Sequence, residues 1–241
     1  MQEPAINWAI SVSWAEKCRE ELNVVCNEFV ERNNRLSPRP RSAAARHLGR
    51  MMIDRFFIPN RRSCWAYVQA AAPIDVKQVI WHHEEDELIH DPRIGVSHMD
   101  IIDWDEQVEP LPGVKAACYA WLYVAIHRPW LVGLAASHIL ERQNDPSIIK
   151  GKTGSQRSAE ELMREMKIDR VADLPVEARA HLDADTDHAN LIWSAIARYV
   201  VDEHSYCQVM EGARDSLEIY HAMRQCISLA QDALEAEEAC R

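Results

Sequence analysis

Three side chains able to hold a metal ion stand close together in one stretch: His181, Asp185 and His188. If residues 176–201 form a helix, these positions (i, i+4 and i+7) fall at about 0°, 40° and −20° around its axis, an arc of about 60°. Imidazole and carboxylate suit first-row transition metals, and helical bundles build dinuclear sites from Glu and His projected inward by several helices. A polar helix face turned to water would show the same periodicity, so the pattern becomes chemistry only if other helices bring matching ligands. Glu177 shares the face, although the helix dipole also accounts for an acid in the first turn. Asp183 and Asp187 fall off the arc and read as solvated charge.

Two other segments offer such ligands. An acidic helix carries Glu84, Glu87 and His90, with His98 just beyond Pro92. A second helix, 130–143, holds the apolar stretch Leu131-Val132-Gly133-Leu134-Ala135-Ala136 followed by His138 and Glu141. Glu141 is favoured over His138, because a position between two cations calls for a carboxylate. His90 stays open as an alternative to His98, and Glu84 as an alternative to Glu87. Arg128, Arg142 and Arg198 lie on or beside these helices, where a substrate carboxylate would want a cation, and Trp130, Trp193 and Tyr199 could line an apolar pocket.

Taken together, Asp86-Glu87 followed by Ser97-His98, then Glu141 after a small-residue helix, then His181-x-x-x-Asp185-x-x-His188, resemble the heme-oxygenase-like diiron oxidases and oxygenases. The resemblance spans roughly residues 45–205, and the His-x-x-x-Asp-x-x-His element is its most specific part. It implies an all-α, heme-oxygenase-like bundle and a site of Glu87, His98, Glu141, His181, Asp185 and His188 holding two Fe(II) per chain. It further implies dioxygen as co-substrate, an external reductant, and a small amino-acid-like or fatty-acid-like substrate. The reactions it implies are N-oxygenation, oxidative C–C cleavage, decarboxylation or desaturation, in natural-product biosynthesis. The same fold family includes heme-degrading, cofactor-independent and thiaminase-like enzymes. The thiaminase-like chemistry would need a reactive cysteine, for which Cys207 is the candidate. A non-enzymatic helical interaction protein is the reading from outside the enzymes.

The elements that must position these residues are helical. Only 7 glycines occur in 241 residues, whereas a typical domain has roughly 7% Gly, so hairpins and glycine-rich phosphate loops are scarce. Apolar residues at Trp14, Cys18, Leu22, Val25, Cys26 and Phe29 keep the three-and-four spacing of a helix over 5–32. A second helix is expected from Ser42 to Phe57, ended by Ile58-Pro59-Asn60, with a third over 62–71 and a fourth opening at Pro73 and Asp75. Further helices are expected over 114–128, 130–143, 158–166, 176–201 and 206–235. Asp173-Leu174-Pro175 reads as a capping carboxylate and an N-terminal proline for the helix over 176–201. That helix is expected at the centre of a single domain, 1–241.

The formal charge of −11 comes from 38 Asp and Glu against 27 Lys and Arg. It leaves no basic patch for a phosphate backbone, so nucleic acid is set aside as a partner. Seven cysteines without a C-x-x-C pair read as reduced thiols rather than a disulfide framework. No stretch of about 18 uncharged apolar residues and no leader-like start is visible, so a cytoplasmic protein without membrane attachment is expected. Family habit and the apolar-rich first and last helices point to a homodimer.

Overall fold

A computed structural model describes residues 8–36, 41–102 and 108–240, and within these the side chains at 8–13, 101, 177, 180, 181 and 183–185 lie outside the described set. The described residues form an all-α bundle: α1 (Trp8–Asn34), α2 (Ala43–Met52), α3 (Ile58–Ala71), α4 (Ile74–Leu88), α5 (Pro112–His127), α6 (Trp130–Arg142), α7 (Gly154–Met166), α8 (Val176–Ala197) and α9 (Glu203–Ala239). Among them the one β-type pairing is an isolated bridge between Asp91 and Val96.

The centre of the bundle is α6, not the helix after Pro175. Every residue from Leu131 to Arg142 is buried, as expected for a helix that is apolar around most of its circumference. It packs against α9, α8, α3 and α5. The polar sequence of α8 could not tolerate that position. Contact with α9 is closest at Gly212, where an added Cβ would lie 2.1 Å from the Val132 carbonyl oxygen. Nearby, the Trp121 indole N–H donates to Ser216 Oγ at 2.9 Å and Ser216 Oγ donates to the Ala136 carbonyl at 2.7 Å, tying α5, α9 and α6 together. The main core runs on through Leu22, Cys26, Phe57, Trp65, Ile80, Leu134, Ile192 and Met223.

Three of the boundaries that differ from expectation have a plain local reason, while α8 stops at Ala197 and α9 runs from Glu203 to Ala239, beyond both expected ends. Pro59 does not end a helix: a π-helical turn, Ile53–Phe57, joins α2 to α3, and Pro59 sits in the first turn of α3, where no N–H is required. Helix α3 therefore begins four residues earlier than expected and carries Arg61 and Arg62. Helix α7 starts at Gly154, because Thr153 and Gln156 form a reciprocal capping box. Asp173 caps nothing; it lies in a 3-10 turn and receives the Arg170 guanidinium at 2.7 and 2.8 Å, leaving Pro175 before α8. Among the described residues, no helix is long and apolar enough to cross a membrane.

Candidate metal centre

Helix α4 supplies the first wall. Val76, Ile80, His83, Glu84 and Glu87 are its buried residues, and their three-and-four spacing places the charged turn on the same stripe as the apolar one. The chain then leaves the helix at Ile89 and reverses through Gly95, whose φ of 80° is readily available to glycine. That reversal carries His98 back against Glu87, with His98 Nδ1 3.2 Å from Glu87 Oε1. The other ring nitrogen, Nε2, lies 2.8 Å from the buried Asp91 carboxylate, an arrangement that fixes which nitrogen faces inward. His90 is exposed on the outside of the same turn.

Opposite α4, α6 brings Glu141 and α8 brings His188. One donor atom each from His83, Glu141 and His188, all buried, lie within 4.8 Å of one another. His83 Nε2 is buried, forms no hydrogen bond and sits 3.5 Å from Glu141 Oε1, while its Nδ1 contacts Glu84 Oε1 at 2.9 Å. The His83 and His188 rings are 4.5 Å apart, and Trp65 covers His83 from α3 at 4.9 Å. His188 Nδ1 is 3.7 Å from Glu87 Oε1 and its Nε2 is 3.3 Å from Asp86 Oδ2. At the rim, Arg93 binds Asp86 at 2.6 Å and Asp91 at 2.8 Å and reaches His188.

Two arginines of α3 complete the cluster. Arg61 donates to Glu141 Oε1 at 2.8 Å and to the Ser137 carbonyl at 3.2 Å. Arg62 lies 2.8 Å from Glu84 Oε1 and 3.1 Å from Glu87 Oε2. Burial alone would raise the carboxyl pKa values, yet Arg62 and His98 hold Glu87 well below the usual range, and Arg61 and His83 do the same for Glu141. Burial would lower His83, but the Glu141 and Glu84 carboxylates push it up to about 9. His188 moves down, because it is buried and faces the charge of His83.

The structure thus brings together Glu87, His98, Glu141 and His188 from the sequence expectation, with Glu84 beside them. The side chains of His181 and Asp185 lie outside the described residues, although their backbone belongs to α8. His138 is fully buried but turns its Nε2 to the Ala189 carbonyl at 3.0 Å, and burial lowers its pKa to about 3. Sequence reasoning missed His83, Arg61 and Arg62. His83 had a signal, since it continues the stripe Val76, Ile80, Glu84, Glu87. Arg142 is fully buried against Asn23 and Trp193, whereas Arg128 and Arg198 pair with Glu211 and Asp75 at the surface. Cys207 is exposed on α9.

The donor set fits iron: two imidazoles and a carboxylate converge, a buried nitrogen points inward without a hydrogen bond, and more carboxylates stand within reach. No protein-family profile matches the chain, and no curated protein does. A crystal structure of a CADD-like protein of unknown function from Nostoc punctiforme is similar in fold, with a TM-score of 0.66 and 13% identity over 90% of this chain and 97% of that one. The all-α bundle is therefore an architecture already seen in a natural protein.

Proposed function

We propose that the chain is a non-heme iron oxidase or oxygenase of the heme-oxygenase-like kind, acting with dioxygen on a small amino-acid-like or fatty-acid-like molecule. The observation that carries this reading is the buried convergence of His83, Glu141 and His188 on α4, α6 and α8. The repeated His181-x-x-x-Asp185-x-x-His188 spacing supports it, because it adds two metal-competent residues to the helix that presents His188. The CADD-like fold supports it at the level of architecture.

Bound iron would supply dioxygen activation; the chain's own residues hold and insulate it. His83, Glu141 and His188 would be the ligands, with Glu87 and His98 adjoining. Asp91 at the His98 Nε2 and Asp86 at the His188 Nε2 would orient the two rings, leaving each Nδ1 toward Glu87. His83 must give up its proton before it can ligate, and Glu84 at its Nδ1 is positioned to hold the ring's remaining N–H. Trp65 covers the ring from α3, and Arg61 fixes the Glu141 rotamer. The test is anaerobic Fe(II) addition followed by oxygen. A transient absorption in the loaded wild type, absent from the apo-protein and from His188→Ala, is expected; an identical response in all three would reject the reading.

A further inference from the structure

Glu84 and Glu87 are the buried carboxylates that α4 offers to a metal ion, and both already have a cation. The Arg62 guanidinium bridges them at 2.8 and 3.1 Å, with side chains of Arg62, Glu84 and Glu87 only 10%, 11% and 10% exposed. We propose that Arg62 stands in for one of the two metal ions of a dinuclear site, so that this chain takes a single divalent cation, on His83, Glu141 and His188. The inference rests on the metal-dependent reading above and changes its stoichiometry.

Three observations carry it. Breaking a buried ion pair leaves an uncompensated charge, which costs far more than losing a surface pair; a metal recruiting Glu84 and Glu87 would strand Arg62 in that state. Charge gives the second. Glu84, Glu87, Glu141, Asp86 and Asp91 contribute five negative charges and Arg61, Arg62 and Arg93 three positive ones, so these eight side chains leave two negative charges, which one divalent ion neutralises and two would exceed. Third, one donor atom each from His83, Glu141 and His188 lie within 4.8 Å of one another, and Glu84 Oε1, at 2.8 Å from Arg62 and 2.9 Å from His83 Nδ1, is already shared between the guanidinium and that cluster.

Mn(II) is the probe, because it suits imidazole and carboxylate ligands and does not react with oxygen on mixing. Equilibrium dialysis of the full wild-type chain should give about one Mn(II) per chain, with the six-line electron paramagnetic resonance spectrum of an isolated ion. Arg62→Met frees Glu84 and Glu87 and should raise the stoichiometry to about two, with an exchange-coupled spectrum; Arg62→Lys keeps the charge and should stay at one. Two ions in the wild type, or one in a folded Arg62→Met, would overturn the inference and leave the metal reading standing. No bound ion in the wild type would sink both. If Arg62→Met does not fold, the wild-type count and spectrum still decide.

Discussion

Glu141 answers to two cations at once: Arg61 at 2.8 Å from α3 and His83 at 3.5 Å from α4. Glu141→Gln keeps the shape and removes the charge. The metal-free protein should lose stability, up to the roughly 3–5 kcal/mol typical of a broken buried ion pair, and metal affinity should fall at least 10-fold. Chemical denaturation of the apo-protein and a metal titration check the two halves separately. His83 gives a pH signature with a definite sign. Its folded pKa, about 9, lies above the unfolded value of about 6.5, so its contribution is fully present below pH 6.5 and is lost as pH rises through 9. His98 is raised as well, by Glu87 and Asp91 against the effect of burial, and adds in the same direction. The apo-protein should therefore melt lower at pH 9 than at pH 6.5, and His83→Gln should flatten that slope; equal slopes in both proteins would remove His83 from the account. Glu87, Glu141 and His188 were legible in the sequence because they end or continue helical stripes. Arg61 and Arg62 were not, since a charged pair after a proline reads as a surface turn until the π-helical turn before Pro59 is seen to carry the helix through.

Helices place these residues, and the tightest constraint on them is the approach of α9 to α6. A methyl at position 212 would overlap the Val132 carbonyl, and no side-chain rotation can relieve a clash with backbone. Gly212→Ala should cost about 1–3 kcal/mol, the usual range for overpacking, despite the better helix propensity of alanine. Thermal melting should show a drop of several degrees, since about 1 kcal/mol moves the midpoint of a chain this long by roughly 2–4 °C. An unchanged melting temperature would mean that α6 and α9 pack less closely than described. At this scale the sequence was informative about existence and less so about ends. The apolar run from Leu131 announced a buried helix. Asp173 looked like a cap, but Arg170, three residues earlier, competes for its carboxylate, and only the folded turn shows which interaction prevails.

Across the whole molecule, scarce glycine and continuous helical periodicity made the all-α class readable, whereas the choice of central helix depended on which polar residues find partners. That is a property of tertiary packing: α6 buries Glu141 because Arg61 meets it, and α4 buries Glu84 and Glu87 because Arg62 does. The acidic surplus of the chain is thus partly offset where the helices converge. On the proposed function, this convergence binds metal through His83, Glu141 and His188. In anaerobic Fe(II) equilibrium dialysis of the full chain, wild type beside His83→Ala, stoichiometric iron is expected in the wild type and an affinity at least 10-fold weaker in the variant. Wild-type protein that retains no iron above the buffer level, or a variant that binds it as tightly, would contradict the proposal.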